Sequence, residues 1–317
     1  QPLWYHAKNE TKPNHYIGFG EGASEAEAKQ NALNDIASQI SVKIENELVQ
    51  NKTHSNEGFE KKIQMKSIQK TSASLSDYTV IDFAQDNGRF YFKIQYENIS
   101  NIDKLAKKLQ NKKDENVTLI SPKSQKFLQQ SVVAKRLSEL LGGEVDLQIA
   151  RRNGSWNLIS NNFVQAINDE EFSKFFFATS NPQISFKTNK RDDVLYDGDE
   201  FHFLVESTSD GFASIVSVYE DGTVVVLLKN SKIAKNMPTK LPQKEDALEP
   251  VAGLLYPGQD TFEMQFVILS DKKLQFDNFA DAHTEVSGQE KYKNFGDFLR
   301  FLDDKKYTSI KVITKMR

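Results

Sequence analysis

Three glycines alternate with larger residues in the segment Gly18-Phe-Gly-Glu-Gly22, an arrangement that could do chemistry. Ser24 and an alanine-rich stretch follow directly, a pattern typical of a strand that runs into a capped helix. Backbone amides and the helix dipole at such a junction attract anions. Gly18, Gly20, Gly22 and Ser24 are therefore candidates for binding a phosphate or a nucleotide.

The same glycines also fit a structural role, in which they turn the chain and let the helix approach the sheet closely. Their G-x-G-x-G spacing lacks the Lys-Ser/Thr pair of a P-loop and the third glycine of the dinucleotide-binding fingerprint. Glu21 would also bring a negative charge next to a phosphate. Because glycine adopts positive φ without steric cost, we favour a turn and close packing over ligand binding.

Other chemistry-bearing residues are dispersed and form no recognisable catalytic or metal-binding pattern. The chain has no cysteine, which excludes disulfides, thiolate metal sites and cysteine nucleophiles. No G-x-S-x-G segment is present, and aspartate-rich spots such as Asp197-Gly-Asp199 fit turns better than calcium loops. No histidine pair has the i, i+3 or i, i+4 spacing of a metal site; the five are His6, His15, His54, His202 and His283. We therefore predict no catalytic residue, no metal and no cofactor.

Two further segments have a functional and a structural interpretation each. Asp114-Glu-Asn-Val-Thr118 fits the acidic-extended sequon D/E-x-N-x-S/T that some bacteria glycosylate in the periplasm, and it lies on a predicted linker. Asn116 is therefore a possible glycosylation site. The aromatic run Phe90-Tyr-Phe92 could stack on bases or on a partner, but without basic neighbours we favour a core or sheet-edge role.

The composition is that of a folded protein with balanced charge. The 317 residues include 41 basic and 44 acidic side chains, a formal net charge of −3, and the two signs are spread evenly. Without a basic surface, we do not expect a nucleic-acid partner. No apolar run approaches the roughly 20 residues of a membrane span. The chain begins at Gln1 and shows no signal peptide, so we interpret it as a mature or trimmed form.

The elements that must position these residues fall into three predicted units, at 1–117, 118–181 and 182–317. The charged stretch Lys112-Lys-Asp-Glu-Asn116 marks the first boundary and Asn181-Pro182 marks the second. The predicted class is α+β: a first unit that combines a helix with strands, then a small α/β unit, then a β-sandwich-like domain.

In the first unit, a strand at 15–20 leads into a helix whose capping box is formed by Ser24 and Glu27. The apolar stripe of this helix weakens near Ser41, where we predict a change to extended chain. The remaining predicted elements are a hairpin of strands 78–83 and 90–96 and a helix at 101–111, while 56–75 is left unassigned.

In the second unit, the predicted elements are helices at 123–141 and 168–178 and strands at 145–150 and 155–160. Strand patterns dominate the third unit, where Asp221-Gly222 between two apolar runs indicates a hairpin turn. The predicted strands there are 183–188, 200–207, 212–219, 223–229, 260–269 and 307–314, with a helix at 294–303.

The N-terminal unit resembles the bacterial Lpp-twenty type envelope lipoprotein family. The matching elements are Pro2-Leu-Trp-Tyr5, the segment from Tyr16 to Ser24, the Ala28…Ala32…Ile36 helix and the strand Phe90-Tyr-Phe-Lys-Ile94. The resemblance implies a helix packed across a small antiparallel sheet, similar to dodecin-like proteins, and a location in the cell envelope. Such families carry a lipid-bearing cysteine at the mature N-terminus, which this chain lacks, so an anchored protein and a secreted, soluble one both remain open.

The C-terminal part is similar to an uncharacterised β-rich domain of bacterial surface proteins. The matching segments are Phe186-Lys-Thr-Asn-Lys190, Tyr196-Asp-Gly-Asp199, Asp210-Gly-Phe212, Gly222 to Asn230 and Tyr256-Pro-Gly258. Lys229 stands where that family usually has proline. Neither resemblance implies a catalytic residue.

These observations favour a non-enzymatic protein of the periplasm or outer membrane, or a secreted one, that acts as a protein-interaction module. The expected partner is a protein of the bacterial envelope or of a host, in envelope assembly, a motility-associated structure or host contact. The edge strands and loops of the β-sandwich are the expected contact surface. Membrane contact is expected only through a lipid anchor outside this chain, and the oligomeric state is left open. Two alternatives remain: a phosphate- or nucleotide-linked activity at Gly18–Ser24, and a small-ligand carrier with a cavity in the sandwich.

Overall fold

The computed structural model describes residues 1–5, 12–49, 75, 77–111, 125–246, 250–282, 284 and 292–317, with only the backbone of 41–49. Its contacts divide the chain into two compact units, Gln1–Ser100 and Asn101–Arg317, which are described separately. Both units combine helices with antiparallel sheets, so the fold class is α+β, as the sequence predicts.

The first unit is a three-stranded antiparallel sheet with one long helix packed on it. Its elements are β1 (His15–Gly22), α1 (Glu25–Val49), β2 (Thr79–Asp86) and β3 (Arg89–Glu97). The strand order is β1-β3-β2. The hairpin of β2 and β3 is confirmed, and its turn residues Asn87 and Gly88 have φ of 48° and 75°, the left-handed pair that a two-residue hairpin turn requires.

The core of the first unit lies between α1 and the sheet. It is formed by the helix residues Ala28, Ala32, Leu33, Ile36, Ala37 and Ile40, together with Leu75, Phe92, Ile94 and Tyr96. On the opposite face of the sheet, the Tyr5 ring packs edge-on against Phe19 and Tyr91, with centroids 5.7 Å and 5.2 Å apart. The aromatic N-terminal segment therefore covers the face that α1 does not.

The predicted end of α1 near Ser41 is wrong, because the helix continues to Val49. The β-branched residues Val42 and Ile44 suggested a change to extended chain. Such residues lower helix propensity only slightly, and adding a residue to an existing helix costs far less than starting one. Most of the unassigned stretch 56–75 lies outside the described residues; Leu75 is buried in the core.

The second unit contains four helices and twelve strands among its described residues. The helices are α2 (Asn101–Asn111), α3 (Val132–Leu141), α4 (Asp169–Ser173) and α5 (Phe295–Leu302). The first seven strands are β4 (Gln148–Arg152), β5 (Ser155–Ser160), β6 (Phe163–Ile167), β7 (Ile184–Thr188), β8 (Val194–Tyr196), β9 (Phe203–Ser207) and β10 (Gly211–Tyr219). The last five are β11 (Val224–Ile233), β12 (Thr239–Leu241), β13 (Thr261–Ser270), β14 (Ala280–Asp281) and β15 (Lys306–Lys315).

These strands form a central six-stranded sheet and two smaller sheets. The central order is β14-β11-β10-β13-β15-β8, and the small sheets are β12-β9-β7 and β4-β5-β6. One face of the central sheet shares a core with the helices and with β4-β5-β6, and the other face shares a core with β12-β9-β7. Because both faces are covered, parts of the central strands are continuous apolar runs, as in Val224–Leu228 of β11 and Phe266–Leu269 of β13.

The structure groups residues differently from the three predicted units. Helix α2, which the sequence assigned to the first unit, buries Leu105 in the same core as Phe127 and Phe266. That core joins the predicted second and third units across residue 181. A short amphipathic helix or a three-stranded sheet cannot bury its apolar face alone, and here these elements bury it against the central sheet.

Three local predictions in the second unit also differ from the structure. The helix predicted at 123–141 is a short 3-10 helix at Lys126–Gln130, followed by α3, because the Ser131 side chain accepts a hydrogen bond from Ala134 N–H and starts a new helix. The helix predicted at 168–178 is only α4, which begins at a capping box of Asn168 and Glu171. Strands β6, β8, β12 and β14 were not predicted. The predicted 112–118 linker lies outside the described residues.

Candidate functional site

The glycines of the candidate phosphate site lie inside strand β1 and not in a turn. They face α1, and a Cβ atom built on Gly20 would lie 2.0 Å from the Ala28 carbonyl oxygen and 2.3 Å from the Ala32 nitrogen. These distances are far below van der Waals contact, and both atoms belong to the helix backbone. Close packing is therefore the reason for the glycines, while the predicted turn with positive φ is wrong.

Helix side chains cover the outer edge of β1. Asp35 accepts a hydrogen bond from Phe19 N–H at 2.9 Å, Gln39 donates to the Ile17 carbonyl at 2.9 Å, and Asn31 donates to the Glu21 carbonyl at 2.9 Å. The three helix residues are spaced four apart, so they form one polar stripe along α1. This stripe satisfies the backbone groups that an edge strand would otherwise expose.

The start of α1 is capped as the sequence predicts. The Ser24 hydroxyl accepts from Glu27 N–H at 3.2 Å, and the Glu27 carboxylate accepts from Ala23 N–H at 2.8 Å. Glu21 forms an ion pair with Arg89. Because these groups already bond within the chain, the geometry gives the phosphate hypothesis at Gly18, Gly20, Gly22 and Ser24 no support, and packing explains the motif.

The other predicted residues are not brought together. His6, His54, His283 and Asn116 lie outside the described residues, and so does the whole sequon. In the described part of the chain, no group of three or more His, Asp or Glu side chains has a metal-binding arrangement. Asp199 bonds to Arg317 at 2.8 Å and to Lys190 at 3.3 Å, and these cations lower the pKa of its carboxyl group.

A cavity of about 840 Å³ lies in the second unit, over the central sheet. Its floor is lined by Tyr219 of β10 and by Glu263 and Gln265 of β13. Tyr219 pairs with Glu263 across the two strands, and Gln265 pairs with Ser217, which lies beside the lining residues. On the same face, the next pairs along the strands are Ile215 with Val267 and Ala213 with Leu269, all buried in the core under β12-β9-β7. The inward face therefore changes from apolar to polar where the cavity begins.

The floor residues form a hydrogen-bonded cluster. The Ser217 hydroxyl donates to the Glu263 carboxylate at 2.5 Å, and Gln265 Nε2 donates to the Ser217 oxygen at 3.2 Å. Gln265 Oε1 is buried and has no hydrogen-bond partner among the described residues. The cluster thus holds a buried acceptor that the described residues leave unused.

Glu263 is a buried acid. Burial raises the pKa of its carboxyl group, and the hydrogen bonds from Ser217 and Gln265 oppose that rise without cancelling it. Burial likewise raises the pKa of Tyr219, with a further contribution from the neighbouring Glu263. Asp221 pairs with Lys293 at 3.3 Å and Asp281 with Lys229 at 3.1 Å, so Glu263 is the lining carboxylate without a cation in the described part of the chain.

Sequence reasoning missed this cluster because its signal is ambiguous. In β13 the polar residues Thr261, Glu263 and Gln265 alternate with apolar ones. Such alternation is equally typical of a strand whose polar side faces solvent. Only the register between β10 and β13, together with the sheet β12-β9-β7 that covers this face, shows that these polar side chains of β13 point inward.

We expect Glu263→Gln to gain stability over the wild type as the pH rises. Because burial raises the pKa above 4.5, the folded protein holds a proton that the unfolded chain releases. The stability from that proton is complete below the unfolded-state pKa and is lost as the pH rises through the folded-state pKa. Between these two pKa values, the difference in unfolding free energy between Glu263→Gln and the wild type should grow by up to about 1.4 kcal/mol per pH unit.

Urea denaturation of both proteins from about pH 4 to about pH 8 measures this difference. Glu206→Gln, at an exposed position of β9, is the matched control and should follow the wild type throughout. A difference between Glu263→Gln and wild type that stays constant with pH would contradict the buried, cation-free carboxyl group.

Comparison with known proteins finds a family that the first unit resembles. The family model of the LPP20 lipoprotein matches residues 2–97, which confirms the resemblance of the N-terminal unit. That match supports an envelope-associated, non-enzymatic protein. The match ends at residue 97, so the likeness of the C-terminal part to surface-protein domains stays a prediction.

No curated protein matches the chain. Among solved structures, the secreted protein HP1454 from the human pathogen Helicobacter pylori aligns with 17% identity and a TM-score of 0.21. The alignment covers 41% of this chain and 49% of that one, so it spans about half the length of the H. pylori protein. No described helix of the present chain is both long enough and apolar enough to cross a membrane.

Proposed function

We propose that this protein is a non-enzymatic protein of the bacterial envelope, or a secreted one, that binds a protein partner through strand β2 of its N-terminal unit. The match of residues 2–97 to a lipoprotein family supports the envelope. The exposed apolar side chains of β2 support the contact surface.

The two edges of the first sheet differ, and this difference carries the proposal. The outer edge of β1 is covered by side chains of α1, whereas no described strand pairs with the outer edge of β2. Val80, Ile81 and Phe83 of β2 are 41%, 40% and 49% exposed. An open strand edge with several large apolar side chains is the usual template for strand addition by another chain.

The central sheet of the second unit offers less for such pairing. The central sheet ends in β14, of two residues, and in β8, of three. Very short edge strands are one of the ways in which proteins prevent pairing with another chain. We therefore place the contact surface on β2, and not on the sandwich edges that the sequence favoured.

A photo-crosslinking residue at Ile81, in the full-length protein in its own cells, tests the proposal. We expect one discrete protein adduct, which Phe83→Lys should weaken by about tenfold or more because it puts a charge in an apolar contact. The control is the same crosslinker at Val132 of α3, which is 63% exposed in the other unit. An adduct of twice the protein's own mass would identify the partner as a second copy.

Equal labelling at Ile81 and Val132 would contradict a specific contact on β2. So would an Ile81 adduct that Phe83→Lys leaves unchanged, since both side chains lie on the same edge strand. Val132→Lys should not affect the adduct.

A further inference from the structure

We propose that the cavity over the central sheet binds an organic ammonium ion that carries an apolar body. This site lies wholly in the second unit and is independent of the β2 contact. Three properties of the cavity carry the inference: its charge, its hydrogen-bonding groups and its walls.

The charge of the lining favours a cation. Among the described residues of the lining, Asp221, Glu263 and Asp281 are acidic and Lys293 is basic. Lys293 and Asp221 neutralise each other, and Asp281 is paired with Lys229. Glu263 is therefore the lining acid whose charge a bound cation would neutralise. An anionic ligand would instead be repelled by the carboxylates of the lining.

The hydrogen-bonding groups of the floor favour a donor. The Ser217 proton is already given to Glu263, so above the pKa of Glu263 the cluster presents acceptors: the Glu263 carboxylate and Gln265 Oε1, which has no partner among the described residues. An ammonium group has up to three N–H donors and no acceptor, which matches this set. A charge-assisted bond to a buried carboxylate is also among the stronger ones in proteins.

The apolar walls of the cavity favour a ligand that has an apolar part as well as a positive charge. Apolar side chains line much of the cavity, among them Phe201, Val225, Leu227, Ala252 and Leu255. A volume of about 840 Å³ lies within the range of small-molecule sites. A coordinated metal ion needs several carboxylate or imidazole ligands, and the described residues offer no such group.

Calorimetric titration of the full-length protein with 2-phenylethylammonium tests the proposal. The matched probes are 2-phenylethanol, which has the same shape without charge, and 3-phenylpropanoate, which has the opposite charge. We expect the ammonium ion to bind at least about tenfold more tightly than the alcohol, and the carboxylate not to bind. Glu263→Gln should lower ammonium affinity to that of the alcohol, while Glu206→Gln should leave it unchanged.

A second variant tests the location without touching the polar cluster. Gly253 lines the cavity, its φ is not in the left-handed region, and a Cβ atom built on it meets no atom within 4 Å. Gly253→Leu should therefore fold normally and abolish binding of both the ammonium ion and the alcohol by filling the space.

Several results would overturn the ammonium site. They are equal affinity for the ammonium ion and the alcohol, unchanged ammonium affinity in Glu263→Gln, or unchanged affinity in Gly253→Leu. None of these results affects crosslinking at Ile81, so failure of this inference is distinguishable from failure of the proposed function.

Discussion

Gly20→Ala is expected to destabilise the N-terminal unit by about 3 kcal/mol. The new methyl group would lie 2.0 Å from the Ala28 carbonyl oxygen and 2.3 Å from the Ala32 nitrogen. Both atoms are helix backbone, so no side-chain rotation can relieve the overlap, and α1 must move away from β1. That movement would also stretch the hydrogen bond from Phe19 N–H to Asp35 and expose Ile36.

Denaturant unfolding followed by tryptophan fluorescence measures this effect unit by unit. The chain has two tryptophans, and they divide between the units: Trp4 in the first and Trp156 in the second. In a Trp156→Phe background, Gly20→Ala should shift the transition of Trp4 to lower denaturant. In a Trp4→Phe background, the same substitution should leave the transition of Trp156 unchanged.

Gly143→Ala is the matched control for Gly20→Ala. A Cβ atom there meets no atom within 4 Å, so the variant should stay within about 0.5 kcal/mol of wild type. An equally small effect of Gly20→Ala would contradict the packing explanation of the glycine motif. An increase in melting temperature with a nucleotide, lost in Gly20→Asp, would restore the phosphate hypothesis.

Gln125→Leu is expected to destabilise the second unit by about 3 kcal/mol. The Gln125 side chain is fully buried and donates to the carbonyl oxygens of Ile149 and Gly296, at 3.1 Å and 2.8 Å. It also accepts from Ile149 N–H at 2.7 Å. Leucine keeps the approximate volume but leaves one buried amide and two buried carbonyls without these partners.

This variant also tests whether the second unit unfolds as one body. Gln125 connects β4 with α5, elements that are far apart in the sequence, and the surrounding core spans both predicted domains. The transition of Trp156 should therefore move as a whole, together with the far-ultraviolet circular dichroism of the unit. Gln129→Leu, on the exposed side of the same 3-10 helix, should have little effect.

A separate early transition confined to residues 125–181, with β10 and β13 still folded, would contradict the shared core. It would also restore the predicted division of the chain at residue 181. A transition of Trp4 that moves with Gln125→Leu would contradict the independence of the two units.

The sequence determined several turns and helix starts of this protein. The turns at Asn87-Gly88 and Asn153-Gly154 have the positive φ values that those residue pairs predict. Ser24 caps α1 as expected, while the Glu27 carboxylate accepts from Ala23 N–H and not from the Ser24 N–H of a strict capping box. These features depend on residues a few positions apart, so short-range sterics and hydrogen bonding specify them. The resemblance of the N-terminal segment to the lipoprotein family also depends on residues close together in the sequence, a short motif of glycines and aromatic residues.

Only the tertiary structure decided what the elements pack against. The apolar stripe of α2 predicts a buried face, but it does not specify whether that face lies in the first core or in the second. The alternation of Glu263 and Gln265 does not specify whether they face solvent or a cavity. Periodicity shows which side of an element is buried, whereas the partner depends on long-range contacts that no local pattern encodes.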